Sequence, residues 1–266
     1  MQRFKMKELK EMFVVVKKRQ VVLTALLCFL LAAGSVVAVL LGVKAEDTAA
    51  KANKLLPVYS VRTEENKVAL TFDAAWGSDK TEKILDLLDT YGVKATFFLV
   101  GFWIEENPEL TQEIASRGHC IGNHSKDHPH MPTLGPEKAE EQIESVNTAL
   151  EELTGSRPVF FRPPFGDYDN ELISLLEKKG MIGIQWSVDS LDWKGISGKE
   201  IAERVLSRVQ KGSIILCHNN SDHILDALPL ILLGLKNKGL TSVSVSELVM
   251  TENYFIDNNG TQTKLT

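Results

Sequence analysis

The sequence predicts an α/β domain folded as a closed or nearly closed β/α barrel. Short apolar runs of strand character alternate with amphipathic helical patterns through most of the chain. This alternation is typical of parallel strands that are joined by crossover helices. No glycine-rich loop follows any of the strand-like runs, so an open nucleotide-binding sheet is the weaker alternative.

Seven runs carry the strand signal, because each is short and mainly apolar. They are VALTF at 68–72, ATFFLV at 95–100, CIGN at 120–123, VFF at 159–161, MIGIQW at 181–186, SIILC at 213–217 and TSVSV at 241–245. We expect one domain over residues 67–252, followed by a C-terminal tail at 253–266 that is disordered after Gly260.

The segments between these runs have helical patterns with recognisable ends. DKTEKILDLLDTY places its apolar residues on one side and is followed by Gly92, and PEKAEEQIESVNTALEEL begins with Pro136 at a first-turn position. ELISLLEKKG, KEIAERVLSRVQKG and ILDALPLILLGLKNKG each end in Lys or Arg and then Gly. Such endings are typical of helix C-termini.

The N-terminal region has the composition of a membrane-targeting segment. Residues 1–20 contain seven Lys or Arg and two Glu, and residues 21–43 contain no charged residue. The uncharged run is long enough to span a bilayer, and the positive-inside rule places residues 1–20 in the cytoplasm. We predict an uncleaved single-pass anchor in the cell membrane with the domain outside. The alternative is a signal peptide that is cleaved near Ala45, which would release a secreted protein.

The rest of the chain is acidic. The total charge of −5 includes +5 from residues 1–20, so the remainder carries −10. An acidic body argues against nucleic acid as a partner. Residues 44–66 are polar and rich in Ala and Lys, and we predict that they form a linker. Oligomeric state is not predicted.

Polar groups with catalytic potential follow the predicted strands. Asp73 ends the first strand, and NHSKDHPH, FRPPFGDYD, WSVDSLDW and LCHNN follow the third to sixth strands. In a β/α barrel the active site lies at the carboxyl ends of the strands. The sequence therefore predicts one site at that end of the barrel.

His124 and His128 are four residues apart, a spacing that could present two imidazoles to one metal ion. The same spacing also suits surface or structural histidines, so the metal interpretation depends on the other strand-end groups. Two histidines, a carboxylate and a water would complete a hydrolytic, zinc-like site.

The remaining strand-end groups suggest acid–base chemistry. Arg162, stiffened by two prolines, would keep a nearby carboxylate ionised, although a surface arginine is the alternative. Asp189 or Asp192 could hydrogen-bond His218 and raise its pKa, which suits a general acid. Trp193 would supply an apolar wall or a stacking face for a sugar, or belong to the core.

Five segments resemble, in order, the motifs of the polysaccharide deacetylases, which are carbohydrate esterase family 4 with its NodB-homology domain. They are TFDAAWG, His124-Ser125 with His128, RPPF at 162–165, DSLDW at 189–193 and LCH at 216–218. The resemblance covers about residues 64–250. The anchor and the pattern TFD-x-x-WG are most similar to the PdaB-type branch, which is linked to sporulation in Gram-positive bacteria.

The resemblance implies a distorted (β/α)7-like barrel that removes N-acetyl groups from GlcNAc or MurNAc in peptidoglycan or a chitin-like glycan. It also implies a divalent metal (Zn, Co or Ni) on His124 and His128. This ion would polarise the acetamide carbonyl and bind the attacking water.

The same resemblance implies roles for the remaining motif residues. Asp73 would be the general base and His218 the general acid. Arg162 would hold Asp73, and Asp192, rather than Asp189, would tune His218. The predicted substrate-binding residues, all within the motifs, are Trp193, Pro164, Phe165 and Leu216.

One position departs from the family motif. The family has two consecutive aspartates, the base and then a metal ligand, and here the second is Ala74. A methyl group cannot coordinate a cation, so we expect a metal to bind weakly. Two hypotheses follow: an active, metal-assisted deacetylase of cell-wall glycan, or a catalytically weak or inactive glycan-binding protein on the same fold.

Overall fold

The computed structural model describes Leu23 and residues 54–265. The basic segment 1–20 and, Leu23 apart, the predicted membrane span 21–43 lie outside the described residues. Within the described residues, no helix is long and apolar enough to cross a membrane.

Strands and helices alternate along the described chain. The strands are β1 (Ser60–Val61), β2 (Lys67–Ala74), β3 (Thr96–Leu99), β4 (Cys120–Asn123), β5 (Phe160–Phe161), β6 (Ile182–Gly183), β7 (Val188–Asp189), β8 (Ile214–His218), β9 (Thr241–Val243), β10 (Tyr254–Ile256) and β11 (Thr261–Lys264). The helices are α1 (Thr81–Thr90), α2 (Gly101–Glu106), α3 (Pro108–Ser116), α4 (Pro136–Thr154), α5 (Asn170–Lys178), α6 (Gly198–Arg208), α7 (Ile224–Asn237) and α8 (Val245–Leu248).

A curled parallel sheet forms the centre of the domain. Its strand order is β6-β5-β4-β3-β2-β8-β7, and β9 pairs in addition with the start of β2. The predicted α/β class with parallel strands is confirmed. Because β6 and β7 end the order without pairing with each other, the sheet of the described residues is a half-barrel, so the predicted distorted barrel is confirmed only as a curled, open sheet.

Residues 54–66, the described part of the predicted linker at 44–66, belong to the folded domain rather than to a linker. Val58 donates its N–H to Gly183 and accepts from Gln185, both at 2.8 Å, which extends the sheet beyond β6. Val61 donates to the carbonyl of Gly212 at 2.9 Å, just before β8. The segment therefore connects the two halves of the open sheet.

Residues 253–265 are also ordered, in contrast to the tail predicted at 253–266. β11 pairs in parallel with β1 and antiparallel with β10, which makes a separate three-stranded sheet. Gln262 of β11 is fully buried, and its side chain exchanges hydrogen bonds with the backbone of Met250. The pairing of β1 with β11 joins residues about 200 positions apart, so local composition did not reveal it.

The alternation of side chains along β2 separates core from site. Val68, Leu70, Phe72 and Ala74 belong to the main apolar cluster together with residues of α1, α6 and α7. Successive side chains of a strand point to opposite faces, so Asp73 points to the other side of the sheet. The carboxylate of Asp73 therefore lies on the concave face of the sheet, at the carboxyl end of β2.

Candidate active site

A cavity of about 720 Å³ opens at the carboxyl ends of the strands. Its wall is formed by strand-end residues and by the loops that follow them, as the barrel rule predicts. The residues that line it include Asp73, Trp76, His124, His128, Phe165, Asp189, Asp192, Trp193, Leu216, His218, Asn219, Asn220, Ser221 and Asp222.

Asp73 is held by the guanidinium of Arg162. Arg162 Nη1 donates to Asp73 Oδ1 at 2.7 Å and to Thr71 Oγ1 at 2.8 Å, and its Nη2 donates to the carbonyl of Gln185 at 3.2 Å. Arg162 is fully buried and Asp73 is 7% exposed. The guanidinium carbon also lies 4.1 Å from the ring centroid of Phe98, which adds a cation–π contact.

These neighbours keep the Asp73 carboxylate ionised. Burial on its own would raise the pKa of Asp73, but the positive charge of Arg162 and the nearby histidines outweigh burial and lower the pKa. An ionised carboxylate with one oxygen held by Arg162 can accept a proton on the other oxygen. This is the geometry of a general base.

His218 and Asp192 form the second charged pair. Asp192 Oδ1 lies 2.7 Å from His218 Nδ1, and Asp192 Oδ2 accepts the backbone N–H of His218 at 2.8 Å. Burial would lower the pKa of His218, but the hydrogen bond and the charge of Asp192 outweigh it, with help from Asp73, and the pKa is raised. A histidine that stays protonated to higher pH can donate a proton from its other nitrogen.

The geometry separates the two candidate aspartates. Asp192 contacts His218, whereas Asp189 Oδ1 accepts the backbone N–H of Leu191 at 2.8 Å and so shapes the turn. Asn219, next to His218, donates from Nδ2 to Gly77 at 2.9 Å and to Thr81 at 3.0 Å. Asn219 therefore joins the loops after β8 and β2.

His124 and His128 lie side by side, with ring centroids 4.9 Å apart. His124 Nδ1 lies 2.7 Å from the carbonyl of Arg162, which can only accept, so Nδ1 carries the proton. In the neutral ring, Nε2 then presents a lone pair 3.6 Å from Asp73 Oδ2. His128 Nδ1 is buried and has no hydrogen-bond partner among the described residues. Burial lowers the pKa of His128 to about 4.

The two histidines do not amount to a complete metal site. Within the described residues, no group of three or more His, Cys, Asp or Glu side chains could hold a metal ion. Asp73, the nearest carboxylate, is already bound to Arg162. The predicted pair of imidazoles is therefore present with one neighbouring carboxylate, which is already paired with Arg162, so the residues do not fit a complete site for a resident divalent ion.

Ala74 lies outside the candidate site. Its side chain is fully buried in the main apolar cluster, on the opposite face of β2 from Asp73, and is not part of the cavity wall. The structure thus places an apolar methyl group, inside an apolar layer, at the position where the family motif carries an acid.

The predicted substrate-binding residues divide into two groups. Phe165, Trp193 and Leu216 line the cavity, and the two aromatic side chains are 58% and 59% exposed. Pro164 is buried and is not among the residues that line the cavity, so its contact with substrate stays a prediction. It begins the turn Pro164–Gly166, in which Phe165 takes a left-handed φ of 59° that turns its ring towards His128 and His130.

Sequence reasoning assigned no role to two further residues of the wall, Trp76 and Ser221. Trp76 lies within the quoted segment TFDAAWG, directly after β2. Ser221 follows LCHNN after β8. Both therefore stand after a strand, as the predicted site residues do.

The fold and these two acid–base pairs define a hydrolase-like site at the carboxyl ends of a parallel sheet. Residues 60–184 match the family described as polysaccharide deacetylase. A peptidoglycan-N-acetylglucosamine deacetylase of Bacillus cereus is 40% identical over 190 residues, which cover 70% of this chain and 69% of that protein. The chain belongs to the polysaccharide deacetylase family.

Two further similar proteins are an uncharacterised protein and a pseudoenzyme. The uncharacterised protein YlxY of Bacillus subtilis is 36% identical over 193 residues, and the match spans 73% of this chain but only 60% of YlxY. BA3943 of Bacillus anthracis, a solved structure described as a family 4 carbohydrate esterase pseudoenzyme, has a TM-score of 0.71 at 32% identity. That match covers 73% of this chain and 69% of BA3943. A BA3943 mutant is described as having restored enzymatic activity.

Proposed function

We propose that this protein hydrolyses N-acetyl groups of a cell-wall glycan, with Asp73 as general base and His218 as general acid. The observation that carries the proposal is the convergence of two charged pairs on one cavity, the buried pair Asp73–Arg162 and the pair of half-buried His218 with buried Asp192. The names of similar proteins, including peptidoglycan-N-acetylglucosamine and peptidoglycan-N-acetylmuramic acid deacetylases, support this glycan class.

Each pair has one task in this reaction. Asp73 Oδ2 takes a proton from water as the water oxygen attacks the acetamide carbon. His218 then donates its proton to the departing amine nitrogen, so that the C–N bond breaks and acetate and a free amino sugar are released. Arg162 keeps Asp73 ionised and Asp192 keeps His218 protonated, so both groups start in the required state.

No step of this reaction is assigned to a metal, because the described residues do not fit a complete metal site. Polysaccharide deacetylases are generally metal-dependent. We expect any zinc, cobalt or nickel that contacts His124 and His128 here to bind weakly, and we expect turnover to be slow.

The second candidate function is glycan binding without turnover. It is favoured by Ala74, which leaves the histidine pair without the second carboxylate of the family motif, and by the similarity to a pseudoenzyme. Its prediction is saccharide binding that does not change with chelator or with Asp73→Asn.

Acetate release separates the two functions. The full chain, purified in detergent, is incubated with peptidoglycan or chitooligosaccharides, with zinc, cobalt or nickel added and with chelator. Release that Asp73→Asn and His218→Ala abolish supports hydrolysis. Binding of the same saccharides without release under any condition supports the second function.

Localisation in the cell membrane remains a proposal that rests on the uncharged run at 21–43. The predicted link to sporulation likewise stays a prediction of the resemblance.

A further inference from the structure

We propose that Gln185 is a positioning residue for the base, because it holds Arg162 in the place where Arg162 pairs with Asp73. The inference rests on the proposed function, in which Asp73 is the general base. Gln185 lies between β6 and β7, outside the five segments that resemble the family motifs. Its effect on the Arg162–Asp73 pair can be measured without turnover.

The guanidinium of Arg162 bridges two parts of the sheet that do not pair with each other. Its Nη1 donates to Thr71 and Asp73, which both belong to β2. Its Nη2 donates to the carbonyl of Gln185 at 3.2 Å, in the segment after β6. β3, β4 and β5 lie between β2 and β6 in the sheet. Nε of Arg162 has no hydrogen-bond partner among the described residues. The carbonyl of Gln185 therefore holds the guanidinium on the side away from β2.

Two further hydrogen bonds fix the position of this carbonyl. The backbone N–H of Gln185 donates to the carbonyl of Val58 at 2.8 Å, and its side-chain Nε2 donates to the carbonyl of Gly166 at 3.0 Å. Only 2% of Gln185 is exposed. Gln185 thus joins the segment before β2, the turn at Pro164–Gly166 and the guanidinium of Arg162.

Close packing supports these hydrogen bonds. Gly166 has a φ of +69°, and a Cβ there would lie 2.9 Å from the ring of Trp186 and 3.2 Å from Gln185 Oε1. Val58 is fully buried in the apolar cluster that contains Phe98, and the Phe98 ring lies 4.1 Å from the guanidinium carbon. The guanidinium is therefore held by an aromatic ring as well as by its hydrogen bonds.

The positioning role has a consequence that a purely structural role lacks. Without the amide of Gln185, the carbonyl that holds Arg162 loses one of its supports, so the pair with Asp73 should weaken. Part of the cost of losing the amide should then disappear when Asp73 is already neutral. A glutamine that only stabilises the fold would cost the same with and without the Asp73 charge, since residues that do not interact have additive effects.

The test is a double-variant cycle of Gln185→Met and Asp73→Asn, measured by urea unfolding of the full chain in detergent. Methionine keeps the length of the side chain and removes its amide. Gln185→Met should raise the unfolding constant about 100-fold in the unsubstituted protein, because it also leaves the buried Gly166 carbonyl without its partner. It should raise the constant only about tenfold in Asp73→Asn. The tenfold difference corresponds to a coupling of about 1.4 kcal/mol.

Gln262→Met is the matched control. Gln262 is fully buried and its side chain also bonds a backbone carbonyl, that of Met250 at 2.7 Å, in the separate three-stranded sheet. Its loss should destabilise the protein by the same factor with and without Asp73→Asn.

Val58→Ala is a second variant, which keeps the backbone bond to Gln185 and removes packing from the cluster of Phe98. Its coupling to Asp73→Asn should be about threefold. This cycle decides the question if Gln185→Met does not fold.

Acetate release supplies the catalytic measurement. Gln185→Met should lower the rate about tenfold, because small displacements of reacting groups are costly, whereas Gln262→Met should leave the rate unchanged.

Additive effects of Gln185→Met and Asp73→Asn, or of Val58→Ala and Asp73→Asn where the first variant does not fold, would overturn the positioning role and leave the proposed function standing. Coupling without acetate release from the unsubstituted protein would overturn the proposed function, while supporting the placement of Arg162 by Gln185.

Discussion

Arg162 and Asp73 form a buried ion pair that also determines which carboxylate oxygen faces the site. Arg162 Nη1 binds Asp73 Oδ1 at 2.7 Å, whereas Oδ2 lies 3.6 Å from His124 Nε2. Oδ1 is therefore held by Arg162, and Oδ2 can accept a proton. The pair joins the end of β2 to the segment after β5. The same contact therefore stabilises the fold and orients the carboxylate of the site.

Removal of Arg162 should destabilise the protein strongly. Arg162→Met leaves Asp73 buried without its positive partner, and we expect the free energy of unfolding to fall by about 3–5 kcal/mol at neutral pH. Urea unfolding measures this loss. Lys199→Ala, which removes an exposed pair with Glu203, is the control and should cost less than about 0.5 kcal/mol.

The double variant Asp73→Asn/Arg162→Met removes both charges and should recover much of the stability that the single variant loses. The loss should also depend on pH. Asp73 has a lowered pKa in the folded state, so its stabilising effect is present above its ordinary pKa of 3.8 and disappears as pH falls through the lowered value. A cost for Arg162→Met below about 1 kcal/mol would contradict a strongly coupled buried pair.

Asp192→Asn should lower the pKa of His218. The raised pKa depends on the hydrogen bond and charge of Asp192, which overcome burial. The pair stabilises the fold fully below the ordinary histidine pKa of 6.5, and this stabilisation disappears as pH rises through the raised folded value. Histidine titration by NMR measures the change, and any hydrolysis should lose its alkaline side at lower pH in the variant.

Asp189→Asn is the matched control, because Asp189 lines the same cavity but does not hydrogen-bond His218. It should shift the His218 titration much less than Asp192→Asn. An equal shift in the two variants would show that charge in general, rather than the Asp192 hydrogen bond, raises the pKa of His218.

The strands that the sequence predicted well are those with a strong local signal. CIGN forms β4 with the predicted bounds, and the run at 213–217 forms β8 with one-residue shifts at each end. β7 was missed because only Val188–Asp189 pairs, in the middle of a polar stretch. β1 and β11 were missed because their order comes from pairing with each other across the whole domain.

The acid–base groups of the site could be predicted from their positions directly after strands, because the carboxyl ends of parallel strands all lie at one edge of the sheet. Position after a strand does not show whether Asp189 or Asp192 hydrogen-bonds His218, since that depends on the turn in which Leu191 takes a left-handed φ of 54°. It also could not show that Ala74 faces the helices, because the side-chain face at a strand end follows from packing rather than from the motif.

Gly212 and Val61 are in close contact, and we predict that this contact keeps residues 58–61 packed against the sheet. Gly212 has a φ of +75°, and a Cβ there would lie 1.7 Å from the carbonyl oxygen of Val61. Gly239 has a φ of +69° with nothing within 4 Å, so it is the matched control. Both alanine variants incur about 1–2 kcal/mol for the left-handed backbone.

Gly212→Ala should lose about 1–3 kcal/mol more than Gly239→Ala, because the backbone of Val61 must move. Urea unfolding gives the difference, and limited proteolysis should cut the segment at 55–62 faster in Gly212→Ala alone. Equal stabilities in the two variants would mean that the segment contributes little to the fold.

Ala74→Asp tests whether the missing carboxylate is the reason that the histidine pair lacks a third ligand. The new side chain starts within the apolar cluster, so without metal we expect a loss of about 3–5 kcal/mol from an unpaired buried charge. If the carboxylate turns towards His124 and His128, zinc should recover that stability. Zinc at 100 times its dissociation constant would contribute about 2.7 kcal/mol.

The measurement is thermal unfolding of the full chain with zinc and with chelator, alongside acetate release. Ala74→Asn has nearly the same size without the charge, so zinc should stabilise Ala74→Asp but neither Ala74→Asn nor the unsubstituted protein. Equal effects of zinc on the three proteins would mean that the carboxylate does not reach the histidines. Zinc-dependent stability together with new acetate release would assign the weak metal site to Ala74, because the remaining catalytic groups are unchanged.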